Sequence, residues 1–314
     1  MDIRIFDTSA DTAVALARRI ATALADDPGS VLGLPTGRTP VATYAELRRL
    51  HAAGEADFSR ASTFNIDEFA GIGPSDPGSF RTFMDRHLFD AVNLRLERIH
   101  FLYGTAADPD AECGRYEAEI ERVGGIDIQL LGIGANGHIG FNEPADELVA
   151  RTHRVELAQS TRRDNAALFG DDPAQVPREA LSMGMGTILK ARTVILIATG
   201  ERKAQCVERT INGPVTPRLP ASFLQLHRHV ELYLDRDAAS RLSRSGFSRT
   251  VTDEGRTLRS AHFRDALQHA AQARLDVLAN RLAHRVVRLP QLRQRLGVGE
   301  PGLLHHDRGL HVPV

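Results

Sequence analysis

Along the first 240 residues, short apolar segments rich in β-branched residues alternate with longer segments whose apolar residues recur at helical spacing. This alternation is typical of βαβ units and predicts an α/β fold, a doubly wound, mostly parallel sheet flanked by helices in a Rossmann-like arrangement. The predicted strands span 3–6, 30–34, 62–66, 99–102, 126–132, 152–157, 193–198 and 230–234. The predicted helices span 8–26, 40–53, 78–92, 108–123 and 201–211.

The C-terminal segment differs in composition from the rest of the chain. From Arg241 to Val314 it has thirteen arginines and six acidic residues, whereas the whole chain is nearly balanced, with 39 basic and 40 acidic residues. An apolar stripe over 262–289 predicts an amphipathic helix there. We therefore expect a domain at 1–245 and a basic helical C-terminal extension at 246–314, which docks on its own core or on a neighbouring subunit of a homo-oligomer.

The composition argues against several classes of protein. A formal net charge of −1 disfavours nucleic acid or an anionic membrane as the main partner. The only two cysteines, Cys113 and Cys206, lack CxxC spacing and predict no disulfide framework. The N-terminus lacks the pattern of a signal peptide, and no apolar run reaches about 18 residues, so we expect a cytoplasmic protein.

Three unusual loops follow predicted strands, at the positions where open α/β sheets bind ligands. The first reads LPTGRTP over 34–40. Gly37 permits close approach of the backbone, Thr39 is placed to cap the following helix, and the N–H groups at a helix N-terminus attract an anion. The loop is therefore either a phosphate cradle or an ordinary βα turn with a threonine cap.

The second loop reads NIDEFAG over 65–71 and places two acids, Asp67 and Glu68, just after an apolar strand. Adjacent acids at a strand end are often a solvated turn. A partly desolvated carboxylate at Asp67 is instead suited to act as a base. The residues alone leave both interpretations open.

The third loop reads GIGANGHIGFNEP over 132–144 and surrounds His138 with four glycines. A lone histidine is more often a core residue, but the Glu143 carboxylate and the Asn136 amide nearby favour a proton shuttle. The loop has no HxH, HxxxH or HExxH spacing, so no metal site is predicted.

The segments LPTGRTP, FNIDEFAGI and LLGIGANGHIGFNEP, in this order and spacing, resemble the glucosamine-6-phosphate deaminase family. Further matches are VPREALSMGMGTIL, ATGERKAQ and PASFLQLH, and the likeness covers about residues 1 to 240. The related 6-phosphogluconolactonases share the fold. They usually have a different histidine loop and no NIDEF-like segment, and so resemble the chain less.

The resemblance implies conversion of glucosamine 6-phosphate and water to fructose 6-phosphate and ammonia, without a metal or an organic cofactor. His138 would help to open the pyranose ring. Asp67 would move a proton from C2 to C1 before the imine is hydrolysed. Glu143 and Asn136 would orient and tune His138, although many family members have an aspartate where Asn136 stands, which would leave this imidazole less basic.

The resemblance also implies a phosphate site made by Lys203 and the backbone of 37–39. The arginine that contacts phosphate in well-known members falls at Ala167. Arg38 is the predicted substitute, because it lies inside the phosphate loop and its fork can bind phosphate bidentately. Two arginines at 162–163 are weaker candidates. Residues that bind an allosteric activator in regulated members are not recognisable, so that regulation is not expected.

Two other functions stay open. Because Ala167 changes the anion end, the chain is alternatively a related isomerase or lactonase that acts on another phosphosugar or amino sugar. A non-catalytic sugar-phosphate sensor, with a tail that mediates assembly, is the third hypothesis. A sensor has no need of a base and a proton shuttle, which argues against it.

Truncation after Gly246 is expected to change oligomer size or solubility more than kcat, because the resemblance is complete without the tail. Mass in solution, Tm and kcat of the truncated protein test this. An unchanged mass together with an unchanged Tm would show that the tail contributes neither to assembly nor to stability.

Overall fold

The computed structural model describes residues 1–242 and the backbone of two further strands, 247–252 and 255–260. Its strands and α-helices, in chain order, are β1 (Asp2–Phe6), α1 (Ser9–Asp26), β2 (Val31–Leu34), α2 (Val41–Ala52), β3 (Ser62–Asn65), β4 (Asp67–Phe69), α3 (Phe80–His87), β5 (Ile99–His100), α4 (Pro109–Arg122), β6 (Ile128–Leu131), β7 (His153–Glu156), α5 (Gln159–Asn165), β8 (Glu179–Ser182), α6 (Met185–Ile188), β9 (Thr193–Ala198), α7 (Ala204–Asn212), β10 (Val230–Asp235), β11 (Phe247–Thr252) and β12 (Gly255–Ser260).

Within the described part of the chain, nine strands form one sheet in the order β11-β12-β1-β10-β9-β6-β2-β3-β5. Every neighbouring pair from β1 to β5 is parallel, and the pairs formed by β12 are antiparallel. The mostly parallel sheet expected from the sequence is confirmed.

Both faces of this sheet are buried. Adjacent residues of one strand belong to different core clusters: Leu130 and Ile195 lie on one face, while Leu131 and Leu196 lie on the other. Strands covered on both faces read as continuous apolar runs rather than as an alternation. This is why the apolar segments predicted the strands correctly.

A second, three-stranded antiparallel sheet in the order β4-β8-β7 was not expected. The chain crosses between the sheets at Ile66, whose N–H donates to Leu34 O while its own carbonyl accepts from the Met183 N–H. Asp67 is therefore the first residue of a strand, and the prediction of a loop at this point is wrong.

The predicted cap of α2 is also wrong. The helix begins at Val41, Pro40 precedes it, and no side chain caps its first turn. Because proline occupies the capping position, Thr39 lies one residue too early to accept the N–H groups of the helix. Thr39 instead lines the cavity described below.

The segment after residue 246 begins with strands that the sequence analysis did not predict. β11 and β12 form a hairpin, and β12 pairs with β1 along the sheet edge. The first compact unit spans Met1–Ala261. The helix predicted at 262–289 lies outside the described residues. A deletion that starts after Ala261 therefore removes the predicted helix and keeps the hairpin.

Candidate active site

An open cavity of about 640 Å³ lies where the carboxyl ends of four adjacent strands, β3, β2, β6 and β9, come together. Open α/β sheets bind ligands in such a crevice. Residues from all three loops singled out in the sequence line it, along with residues of α3, α5 and the segment after β9. Six of the predicted site residues are among them: Gly37, Arg38, Thr39, Asp67, His138 and Lys203.

Asp67 lies in the wall of this cavity with 7% of its surface exposed. Burial raises the pKa of its carboxyl from 3.8 to about 8, and the charge of the neighbouring Glu68 adds to the increase. Both acids are buried, so the interpretation as a solvated turn is wrong. Asp67 is a carboxyl group whose conjugate base is strong enough to remove a proton near neutral pH.

Glu68, unlike Asp67, binds backbone N–H groups at the start of a helix. Its carboxylate accepts hydrogen bonds of 2.9 to 3.0 Å from the backbone N–H groups of Phe69, Phe80 and Arg81. The last two belong to the first turn of α3, whose N–H groups have no partner within the helix. Burial raises the pKa of Glu68 to about 7, against the lowering effect of these hydrogen bonds. Glu68 therefore fixes the start of α3.

His138, Asn136 and Glu143 form one connected group after β6. Glu143 Oε2 lies 3.6 Å from His138 Nδ1 and accepts a 2.8 Å hydrogen bond from Asn136 Nδ2. Asn136 Oδ1 accepts the backbone N–H of His138 at 3.1 Å. Asn136 thus contacts the backbone of His138 and the Glu143 carboxylate, and makes no hydrogen bond to the imidazole.

The imidazole of His138 has two unlike nitrogens. Nδ1 is buried, whereas 23% of the side chain is exposed. Nε2 is therefore the nitrogen that a ligand in the cavity reaches. A Cβ at Gly134 would lie 2.3 Å from the ring, so the imidazole packs directly on the backbone of the glycine-rich loop.

Thr161 is a site residue that the sequence analysis missed. It lines the cavity from α5, and its Oγ1 donates to Glu143 Oε1. Burial raises the pKa of Glu143, but the interactions with His138, Thr161 and Asn136 outweigh this effect and lower the pKa to about 2. Glu143 is therefore charged at any pH near neutrality.

The basic end of the cavity is built by two loops. Gly37 has a φ of 100°, a conformation that glycine adopts without strain, in the loop after β2. After β9, Lys203 Nζ donates to Ile133 O at 2.6 Å. Burial lowers the pKa of Lys203, and the charges of Arg202 and Arg38 lower it further. The three cations therefore act on one another.

Arg202 was not singled out in the sequence. It lines the cavity beside Arg38 and Lys203, and within residues 1–242 neither guanidinium forms an ion pair or a hydrogen bond. Arg162 is a wrong candidate for this site, because it lies outside the cavity lining and its guanidinium donates to the carbonyls of a nearby turn. Arg163 also lies outside the cavity lining.

The family model of glucosamine-6-phosphate isomerases/6-phosphogluconolactonase matches residues 7–234. The chain belongs to this family. Glucosamine-6-phosphate deaminase 1 of Giardia intestinalis is 48% identical over 229 residues, which are 73% of this chain and 86% of that protein. Glucosamine-6-phosphate deaminase 2 of Bacillus subtilis is 48% identical over 220 residues, 70% of this chain and 88% of that protein. The glucosamine-6-phosphate deaminase of Shewanella loihica is 45% identical over 260 residues, 83% of this chain and 97% of that protein.

Solved structures of the family share the fold. A monomeric glucosamine-6-phosphate deaminase is 40% identical, with a TM-score of 0.74 over 76% of this chain and 99% of that one. A 6-phosphogluconolactonase from Trypanosoma cruzi is 19% identical, with a TM-score of 0.62 over 77% of this chain and 96% of that one, and shows the fold alone. The resemblance seen in the sequence is confirmed.

The buried carboxyl of Asp67 makes the stability of this family member depend on pH. Its pKa is raised in the folded state, so its contribution to stability is complete below about pH 4 and is lost as the pH rises through about 8. We expect Asp67→Asn to raise Tm at pH 8 by about 3 °C or more, given roughly 2–4 °C per kcal/mol for domains of 150–250 residues.

The advantage of Asp67→Asn over wild type should be smaller at about pH 5 than at about pH 8. Thermal unfolding at the two pH values measures this difference. Asp164→Asn, which changes an exposed carboxylate of the same cavity, is the matched control and should show no such trend. An equal Tm difference at both pH values would contradict the raised pKa.

Proposed function

We propose that this chain converts glucosamine 6-phosphate and water into fructose 6-phosphate and ammonia. The observation that carries the proposal is the buried carboxyl of Asp67, with its pKa raised to about 8, in one cavity with the His138 imidazole. An aldose–ketose isomerisation needs a base poised near the working pH and a proton shuttle. The relatives named glucosamine-6-phosphate deaminases, at 45 to 48% identity, support the same reaction.

His138 opens the sugar ring in this proposal. Nε2 accepts the proton of the C1 hydroxyl and delivers a proton to the ring oxygen, which breaks the C1–O5 bond and leaves an aldehyde at C1. The imidazolium formed in between is stabilised by the Glu143 carboxylate, whose Oε2 lies 3.6 Å from Nδ1. Because Glu143 is charged near neutral pH, this stabilisation is present throughout.

Asp67 carries out the isomerisation. Its carboxylate removes the proton from C2 while a proton of the substrate's ammonium group passes to the C1 oxygen, which gives an enolamine. Asp67 then returns the C2 proton to C1, which leaves a protonated imine at C2. Water then adds to the imine carbon and ammonia leaves, so that fructose 6-phosphate remains. The amino group of the substrate supplies the imine, so the reaction needs neither a metal nor an organic cofactor.

The basic end of the cavity holds the phosphate. A dianion that leaves water needs more than one cationic partner, and Lys203 alone would leave it underpaired. Arg38 and Arg202 line the same cavity and have no other ionic partner within residues 1–242. Together they replace the single arginine that the family resemblance places at Ala167. The N–H groups of 37–39 complete the site.

The two alternatives are less well supported. Hydrolysis of a lactone moves no proton from carbon, so a lactonase has no use for a buried base such as Asp67. A sensor needs neither this base nor a proton shuttle. The 6-phosphogluconolactonase structures, moreover, share the fold at 17 to 20% identity only.

The cellular location and the oligomeric state of the enzyme are proposed from its sequence. No helix in the described part of the chain is long and apolar enough to cross a membrane. We propose that the enzyme is cytoplasmic and that its arginine-rich C-terminal segment contributes to a homo-oligomer. A small amino-sugar phosphate is its expected partner, and neither nucleic acid nor a membrane is expected.

Asp67→Asn should reduce kcat by on the order of 10²-fold or more, the usual scale for loss of a general base, while substrate binding survives. Ammonia release from glucosamine 6-phosphate measures kcat and KM. In the wild type, kcat/KM should rise with pH and level off above about 8, because only the ionised carboxylate of Asp67 accepts the C2 proton. Unchanged turnover in the variant would overturn the assignment of the base.

Arg38→Ala should raise KM for glucosamine 6-phosphate by about tenfold or more, a loss of roughly 1.5–3 kcal/mol that is typical of a charged hydrogen bond. Arg202→Ala tests the second guanidinium in the same assay. Arg163→Ala, which removes an exposed arginine outside the cavity lining, is the matched control and should leave KM unchanged.

Free glucosamine should be a poor substrate for all of these proteins, as a panel of hexosamines and their 6-phosphates will show. Retention of KM in Arg38→Ala would remove Arg38 from the phosphate site. A preference of the wild type for the unphosphorylated sugar would favour the alternative of a different amino sugar.

A further inference from the structure

The Glu143 carboxylate is held at both of its oxygens. Oε2 accepts from Asn136 Nδ2 at 2.8 Å and faces His138 Nδ1 at 3.6 Å. Oε1 accepts from the hydroxyl of Thr161. The torsion that rotates a glutamate carboxylate is broad and has no sharp minimum. A bond to one oxygen alone would therefore leave the carboxylate free to turn about it.

Thr161 is well placed to provide the second anchor. The residue is 3% exposed, and its hydroxyl makes one side-chain hydrogen bond in the described structure, to Glu143. A β-branched side chain in a helix has few rotamers, so the position of its hydroxyl is set by the backbone of α5. The backbone carbonyl of Thr161 also accepts from Asn165 Nδ2 at 2.9 Å.

The rotation of Glu143 decides which proton arrangement His138 adopts. A neutral imidazole carries its proton on Nδ1 or on Nε2, and the partner of one nitrogen fixes the choice. Nδ1 is buried, and within residues 1–242 it has no hydrogen-bond partner. The carboxylate oxygen at 3.6 Å is therefore the group that holds a proton on Nδ1 and leaves Nε2 free to accept one.

We propose that Thr161 is a positioning residue that locks the rotation of the Glu143 carboxylate and thereby holds His138 in the tautomer that accepts a proton from the substrate. Thr161 itself takes no part in proton transfer. The effect on turnover rests on the proposed function, whereas the effect on the tautomer does not.

The first test compares Thr161→Val, which removes the hydroxyl and keeps the shape, with Thr161→Ser, which keeps the hydroxyl. In Thr161→Val we expect kcat to fall by about tenfold or more with KM within about twofold, and Thr161→Ser to stay within about twofold of wild type in both. The ¹⁵N chemical shifts of the His138 ring, recorded without substrate at a pH where the ring is neutral, should show one tautomer in wild type and Thr161→Ser and a mixture in Thr161→Val.

Thr210→Val is the matched control. Thr210 is fully buried in α7, and its hydroxyl has no hydrogen-bond partner among the described residues, so the same exchange there should change neither kcat nor the His138 shifts. If Thr161→Val does not fold, Thr161→Ala removes the same hydroxyl without a methyl group against the carboxylate, and the same results are expected.

A wild-type tautomer in folded Thr161→Val or Thr161→Ala would overturn the inference. An equal loss of kcat in Thr161→Ser would overturn it as well, because the methyl group and not the hydroxyl would then matter. Absence of ammonia release by the wild type would contradict the proposed function instead, and the tautomer measurement would still decide on Thr161.

Discussion

Two consecutive acids on one short strand cannot share an environment, because the side chains of a strand alternate between its two sides. In β4, the Glu68 side chain therefore contacts the backbone of α3, and the Asp67 side chain lines the cavity. The two roles are linked, since the charge of Glu68 contributes to the raised pKa of Asp67. The helix that Glu68 caps also supplies Phe80 and Phe83 to the cavity wall. The pairing of β4 with β8 thus holds both Asp67, the proposed base, and one side of the cavity.

The sequence predicted those parts of this arrangement that a local pattern of residues indicates. Continuous apolar segments marked strands that are buried on both faces, and glycines around His138 marked a loop of unusual conformation. In the second sheet, β7 lies within the predicted strand 152–157, but β4 and β8 carry no such pattern, because they are three or four residues long and include charged residues, as in DEF and EALS. Thr161 and Glu143 are 18 positions apart in the chain, and the hydrogen bonds from α3 to Glu68 depend on where that helix begins. No residue spacing shows either contact.

The charged groups at the two ends of the cavity are stabilised in different ways. At the end that contains Asp67 and His138, the Glu143 carboxylate is held by hydrogen bonds from Asn136 and Thr161, whereas the pKa of Asp67 is raised mainly by burial. At the basic end, Arg38, Arg202 and Lys203 share the wall with Asp164 and Glu201. The charge of Asp164 raises the pKa of Lys203, while the two arginines lower it. Asp164 therefore moderates the repulsion among these cations, and the phosphate dianion proposed to bind here would moderate it further.

Gly134 is required by the position of the His138 ring rather than by its own backbone conformation. The imidazole of His138 occupies the space that a side chain at 134 would need, because a Cβ there would lie 2.3 Å from the ring. A side chain at Gly134 would therefore displace the imidazole of His138, the proposed proton shuttle. At the opposite end, a Cβ at Gly37 or Gly200 would have open space, but the φ values of 100° and 85° strain any other residue at these positions. These three glycines of the cavity are thus required for two different reasons: at 134 the imidazole needs the space, and at 37 and 200 the backbone needs the conformation.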